Sequence, residues 1–188
     1  MTTQPTRTAP RPATTDDVDA VVALVESAYR GDASRAGWTT EADILGGQRT
    51  DEQMVRELLS APGSVVLVVD DEDDGLLACC HLERRDVTGY LGMFAVRPGR
   101  QGQGTGRAVL AAAEVYARDA WGAQRLEISV INHRHELIAW YERCGFARTG
   151  VAHAFPYGDE RYGLPQRDDI VLLEMVKPLD GAAARTDG

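Results

Sequence analysis

The sequence predicts a single mixed α/β domain. Its 188 residues, 44% of them hydrophobic, are enough for one domain with a substantial core. Four segments carry apolar residues at helical spacing, and six others are short apolar or β-branched runs typical of strands. We therefore expect a mixed central sheet of about six to seven strands, flanked by about four helices. The domain should span residues 11–179, with residues 1–10 and 180–188 as polar, disordered tails.

Two helices are predicted in the N-terminal part of the chain. In "TTDDVDAVVALVESAYR", Thr15 is the expected N-cap, two aspartates occupy the first turn and valines recur with helical spacing. A long polar segment punctuated by glycines follows. "TDEQMVRELLSA" then resumes a helical pattern, which Pro62 and Gly63 end.

Strands dominate the middle of the chain. "SVVLVVD" and "LLACCHLERR", joined by the acidic turn "DDEDDG", predict a hairpin between Ser64 and Arg85, and "GYLGMFAV" is a third strand. A long helix, "GTGRAVLAAAEVYARDAWG", should end at Gly122 and be followed by the strand "AQRLEISVI". The last elements are a helix, "RHELIAWYERCG", ended by Gly145, and the strands "FARTGVA" and "IVLLEMVK".

Charge and composition exclude several classes of protein. With 20 Lys and Arg against 29 Asp and Glu, the net charge is -9, which argues against sequence-independent binding to nucleic acid or anionic membranes. No apolar run is long enough to span a bilayer, and the first residues lack a secretion signal, so we expect a cytoplasmic protein. Three cysteines without a framework spacing predict buried free thiols. The histidines have no metal spacing with them, so no metal site is expected.

The stretch "RPGRQGQGTGRAVL", Arg97 to Leu110, has four glycines within eight residues where the third strand leads into the long helix. A dinucleotide fingerprint fails, because Arg107 or Val109 stands where its third glycine should be. A P-loop fails too, because Thr105 follows Gly104 and the lysine is missing. Two interpretations remain: backbone amides at a helix N-terminus that hold a pyrophosphate, or a turn in which Gly106 lets the helix pack closely on the sheet.

Several motifs resemble those of the GNAT superfamily of N-acyltransferases. "FAVRPGRQGQGTGRAVL" is similar to its acyl-CoA signature, and "AWYERCGF" to its second signature, in which Tyr-Glu-x-x-Gly-Phe closes the last helix. The opening "PRPATTDDVDAVVALV" is also similar. The resemblance implies a single GNAT-like domain, with acetyl-CoA bound where the fourth and fifth strands splay apart. It implies contacts to the cofactor from backbone groups of Phe94, Ala95, Val96, Gln101, Gly102, Gln103, Gly104, Thr105 and Gly106.

The resemblance also implies acetyl transfer to a primary amine by direct attack, with Tyr141 as the general acid that protonates the CoA sulfur. Family members carry a cofactor-contacting asparagine seven residues before this tyrosine, where Arg134 stands here, and Asn132 is a candidate two residues earlier. The fourth strand lacks the acid that serves as base in many members. The candidate bases are therefore Glu83, or else Glu41, Glu174, His81, His153 or an ordered water chain.

The resemblance implies that the acceptor binds between two long segments, which here are "AYRGDASRAGWTTEADILGGQR" and "FPYGDERYGLPQ". Their candidate substrate contacts are Tyr29, Arg30, Trp38, Glu41 and Tyr157. An amine with a carboxylate would use an arginine fork, whereas a polyamine or an aminoglycoside would prefer the acids of these segments, and the sequence leaves both open. We expect a monomer or homodimer acting on a small molecule or peptide. The alternative function is a catalytically silent acyl-CoA sensor.

Overall fold

The structure is a computed structural model that describes residues 9–37, 40–71 and 75–179. The predicted C-terminal tail and most of the N-terminal one lie outside the described residues. The main sheet consists of the strands β1 (Arg11–Pro12), β2 (Ser64–Asp70), β3 (Leu76–Arg85), β4 (Thr88–Val96), β5 (Arg125–Ile131), β6 (Ala147–Ala154) and β7 (Val171–Pro178). These seven strands form one mixed sheet in the order β1-β2-β3-β4-β5-β7-β6. A separate two-residue ladder joins Leu45–Gly46 to Leu164–Pro165.

The helices confirm the predicted order and add one short element. They are α1 (Val18–Tyr29), α2 (Gly31–Ser34), α3 (Glu52–Ser60), α4 (Thr105–Trp121) and α5 (His135–Arg143). The four-residue α2 lies in the long segment after α1, for which no helix is predicted. A 3-10 turn over Thr15–Asp17 precedes α1, so Thr14, and not Thr15, is the capping residue. The Asp17 carboxylate accepts the Thr14 backbone N–H at 2.8 Å, which satisfies a donor at the start of the turn.

The sheet has helices on both faces. On one face, residues such as Leu82, Leu126 and Ile128 form a core cluster with α4 and α5. On the other, residues such as Val66 and Val68 pack with α1 and α3. All three cysteines are free and buried, as predicted, and two of them lie side by side on β3, one in each cluster. The sheet therefore fills the space between two helical layers.

The sheet opens between β4 and β5. The two strands pair in parallel only from Thr88–Tyr90 to Arg125–Glu127, and no further pairing between them is found in the described residues. Gly89 permits close packing at the paired end, since a Cβ there would lie 2.9 Å from a methyl of Leu126. At the other end β4 bulges against β3, and Met93 takes a positive φ of 44°. A bulge bends its strand, which accounts for the gap beyond Tyr90.

Candidate active site

Two cavities meet at the gap between β4 and β5. The large cavity, about 580 Å³, lies between the end of β4, the N-terminus of α4 and α5. The small cavity, about 220 Å³, lies between β4, β5 and the two long loop segments. Both are lined by Tyr29, Phe94, Leu137 and Tyr141. A molecule in one cavity can therefore reach a molecule in the other past these four side chains.

Tyr141 lies at this junction because α5 directs it inward. Its helix begins after Arg134, and Ile138 and Tyr141, one turn apart, are the buried residues of α5. The ring of Tyr141 packs edge-to-face against Trp140 and Phe146, with ring centroids 5.0 and 5.3 Å away. Burial raises the pKa of Tyr141 well above its ordinary value of 10.0, and the nearby Tyr29 raises it further. The phenol therefore keeps its proton at neutral pH, as a general acid must.

Tyr29 forms the opposite wall of the junction. Its hydroxyl donates a hydrogen bond to the backbone carbonyl of Phe94, which ties the end of α1 to the bulged part of β4. Burial raises the pKa of Tyr29 to about 12, so this donor also stays protonated. The predicted substrate contact at Tyr29 thus lies against a predicted cofactor contact, Phe94.

The glycine-rich stretch forms one end of the large cavity. Gly99, Gly102 and Gly104 have φ of 80–82°, a left-handed conformation in which an L side chain is strained. Gly104 is the N-cap of α4, so the first amides of a 17-residue helix open toward the cavity. Arg107 and Arg143 line the same cavity and add positive charge. This combination of helix N-terminus and guanidinium groups suits a phosphate-bearing ligand.

The structure brings most of the predicted cofactor residues to the large cavity, but not all. Phe94, Val96, Gln101, Gly102, Gly104 and Gly106 line it. Ala95, Gln103 and Thr105 line neither cavity; Ala95 belongs to the core cluster under α1. Asn132 is also elsewhere, because its amide donates to the Asp169 carbonyl and accepts from the Val171 amide, joining β5 to the start of β7. Its side chain lines neither cavity, so the structure does not support the predicted cofactor contact.

Glu41 lies in the small cavity among three arginines. Its two carboxylate oxygens accept from Arg30 at 2.7 Å and from Arg134 at 2.9 Å, and all three side chains are at least nine-tenths buried. Burial alone would raise the pKa of Glu41, but Arg134, Arg49 and Arg30 outweigh it and hold the pKa below its ordinary value of 4.5. The carboxylate is thus ionised and fully engaged, which makes it a weak proton acceptor.

The other predicted acceptor contacts are only partly brought together. Arg30 forms an ion pair with Glu41 but does not itself line the small cavity. Tyr157 lies outside it, since its hydroxyl accepts the Ile170 backbone N–H at 2.8 Å and its side chain is 45% exposed. Trp38 lies outside the described residues. Arg49, Phe155 and Tyr162, which belong to the two predicted acceptor segments, do line the small cavity. Arg134 lines it as well, and sequence reasoning missed it on this side of the site.

None of the remaining candidate bases lines either cavity. Glu83 lies on the surface of β3, paired with Arg85 at 2.9 Å, so the structure does not support its assignment as base. Glu174 pairs with His153 at 3.0 Å on the outer strands. His81 is buried below α3, where its ring contacts the Ser64 hydroxyl at 2.8 Å and burial lowers its pKa. Glu41 is therefore the one carboxylate among the described residues that line the small cavity.

Together, the opened mixed sheet, the glycine-rich helix N-terminus and the buried tyrosine between two cavities define the class of acyl-CoA-dependent N-acyltransferase domains. The model of the Acetyltransferase (GNAT) family matches residues 23–146. Because this match covers well over half of the chain, the protein belongs to the GNAT acetyltransferase family.

Individual relatives are similar over different shares of their length. Mycothiol acetyltransferase from Beutenbergia cavernae is 38% identical over 105 residues, which cover 55% of this chain and 33% of the relative. The chain thus spans about a third of this curated relative. The structure of nourseothricin acetyltransferase is similar with a TM-score of 0.54 and 26% identity, covering 63% of this chain and 66% of that one. The ribosomal-protein-S18-alanine N-acetyltransferase from Escherichia coli shares the fold, with a TM-score of 0.67, 17% identity and coverage of 96% and 99%.

Among the residues that the structure describes, no helix is both long and apolar enough to cross a membrane.

Gly106 offers a direct test of the large cavity. A Cβ at this position would lie 3.4 Å from Trp140 and 3.8 Å from Phe94, so a longer side chain must project into the cavity. We expect Gly106→Leu to weaken binding of CoA by about tenfold or more, through loss of space and not of stability, since leucine favours a helix more than glycine does. Isothermal titration with CoA measures the effect, and Ala111→Leu on the exposed face of α4 is the matched control. Equal CoA affinity of the two variants would contradict this role for the large cavity.

Proposed function

We propose that this protein transfers an acetyl group from acetyl-CoA to a primary amine of a small molecule or peptide, by direct attack in a ternary complex. The observation that carries the proposal is the position of Tyr141, a buried phenol where the large and small cavities meet. A tyrosine there can reach a sulfur in the large cavity and a carbonyl attacked from the small one. The names of the relatives, which are acetyltransferases, support the same activity.

The large cavity is the site that we propose for acetyl-CoA. Amides of Gln101, Gly102, Gly104 and Gly106, at the start of α4, would hold the pyrophosphate, as Arg107 and Arg143 would hold further phosphate charge. The edge of β4 near Phe94 and Val96, which has no β5 partner, would pair with the pantetheine arm. When bound, the thioester supplies an activated acetyl group.

The chemistry then needs one proton donor. The amine nitrogen attacks the thioester carbon from the small cavity, the carbon–sulfur bond breaks, and Tyr141 gives its phenolic proton to the departing sulfur. The proton lost by the amine nitrogen returns to the Tyr141 oxygen through water. The products are the N-acetylated amine and CoA, and the phenol is restored.

The mechanism also needs a group that accepts the proton of the amine. Glu41 has both oxygens engaged with arginines, so ordered water is the acceptor that we propose for the amine proton. The engagement of both Glu41 oxygens also favours the second candidate function, a catalytically silent acyl-CoA-binding module. Such a module would retain the large cavity without turning over any amine.

One experiment separates the two functions. Purified full-length protein is mixed with acetyl-CoA and a panel of amines, and release of free thiol is followed together with CoA affinity. We expect thiol release that depends on the amine. Tight CoA binding with no thiol release for any amine would establish the silent module instead. We propose that the reaction takes place in the cytoplasm, which three buried free thiols support.

A further inference from the structure

The small cavity has an excess of positive charge that the acetyl-transfer step does not require. Arg49 and Arg134 line it, Arg30 lies directly behind Glu41, and Glu41 is the one carboxylate among its described lining residues. The Nε and Nη2 atoms of Arg30 are buried and have no hydrogen-bond partner in the described residues. Three guanidinium groups thus surround a single carboxylate that cannot balance them.

Arg49 is the arginine of the small cavity whose position suits binding of a negatively charged group of a ligand. Its guanidinium carbon lies 5.5 Å from the centre of the Tyr29 ring, at the junction of the two cavities. Glu41, the carboxylate of the cavity lining, forms its ion pairs with Arg30 and Arg134, and Arg49 forms no ion pair with any residue that the structure describes. The carboxylate of Glu26, on α1, accepts the backbone amides of Arg49 and Thr50 at 2.6 and 2.8 Å and does not line the cavity.

The acids that would attract a polycation are occupied or lie away from the cavity. Asp43 pairs with Arg35 at 2.8 Å, and Asp159 pairs with Arg161 at 2.7 Å, both at the surface. Glu160 is exposed and lines neither cavity. A ligand with several ammonium groups would therefore meet net positive charge, which disfavours its charged form.

We infer that the acceptor is a small amine bearing a carboxylate near its amino group, an amino acid or a compound like it, and that Arg49 binds this carboxylate. The inference rests on the proposed function and names its substrate class. Arginine binds a carboxylate through two parallel charge-assisted hydrogen bonds, so it would both retain the acceptor and orient it. Leu45, Ile131, Phe155 and Leu172 give the cavity apolar walls for a carbon side chain.

The test compares leucine, leucinamide and spermidine as acceptors. Thiol release is measured at equal concentrations of unprotonated amine, and binding of each amine is measured by calorimetry in the presence of CoA. We expect leucine to be preferred over leucinamide by about tenfold or more, and spermidine to be the poorest acceptor. Arg49→Gln should abolish the preference for leucine, mainly by raising KM, while Arg56→Gln, an exposed arginine on α3, should leave it unchanged.

The two readouts separate this inference from the proposed function. If amines are acetylated but leucinamide or spermidine is used as well as leucine, the carboxylate inference is overturned and acetyl transfer stands. If no amine is acetylated, transfer fails; carboxylate-dependent binding that is lost in Arg49→Gln would still support the site. Equal loss of leucine and leucinamide binding in Arg49→Gln would count against it.

Discussion

Replacing Tyr141 by phenylalanine should lower kcat for acetyl transfer by about 10²–10⁴-fold, the range that a general acid contributes. The variant removes one oxygen from a residue that is 5% exposed and packed between Trp140 and Phe146, so the fold should persist. CoA affinity should change little, because the backbone of the glycine-rich stretch would hold the phosphates. Single-turnover thiol release, combined with CoA titration, measures the two quantities separately.

A matched control comes from the other phenol at the junction. Tyr29→Phe removes the hydrogen bond to the Phe94 carbonyl, not the proposed proton donor, so its loss of kcat should be much smaller. The pH profile adds a further readout. Since burial raises the pKa of Tyr141 well above 10.0, the wild-type rate should not fall between pH 7 and 9 through loss of the phenolic proton. Full activity of Tyr141→Phe would remove this residue from the mechanism.

Replacing Glu41 by glutamine should lower the free energy of unfolding by about 3–5 kcal/mol, because breaking a buried ion pair leaves uncompensated charge. Here the residual charges are those of Arg30 and Arg134, whose side chains are 6% and 5% exposed. Chemical denaturation measures the loss. Glu52→Gln, which removes an exposed carboxylate 3.8 Å from Arg56, should change stability by less than about 0.5 kcal/mol.

The pH dependence of stability provides a second measurement of Glu41. Its pKa in the folded protein lies below its ordinary value of 4.5, so the unfolded chain binds the proton more readily. The stability that Glu41 contributes is therefore complete above about pH 4.5 and is lost as the pH falls through the lower folded pKa. Between these values the wild type should lose stability more steeply with acid than Glu41→Gln. Parallel curves for the two proteins would show that the carboxylate is not stabilised by the arginines.

Local patterns in the sequence predict the main elements and most of the residues that line the large cavity. The helical period around Tyr141 and the run of four glycines, three before α4 and one in its first turn, depend on neighbouring residues, and both occur where the sequence predicts them. The errors have local causes as well. Thr14 caps the chain at this point, and not the predicted Thr15, because a 3-10 turn precedes α1. The prediction for Asn132 depends on its distance from Tyr141 along the chain, which does not tell the direction of its side chain.

The arrangement of charges at the small cavity could not be predicted in the same way. Arg30, Glu41 and Arg134 come from the end of α1, a loop and the start of α5, and no spacing rule connects them. The sequence makes Glu83 a candidate base because it lies on β3, beside β4, but its pairing with Arg85 keeps the carboxylate at the surface.

The sequence by itself determined the mixed α/β class, the order of the elements, and the glycine-rich turn that opens the helix before Arg107. These follow from hydrophobic period and from glycine's access to positive φ, which are properties of short segments. Only the tertiary structure decided where β4 and β5 separate, which is after Tyr90, that Tyr141 lies between two cavities, and that Glu41 is held by arginines. Those features depend on contacts between distant parts of the chain. Such contacts are determined by packing of the whole domain and cannot be inferred from the pattern of a short segment.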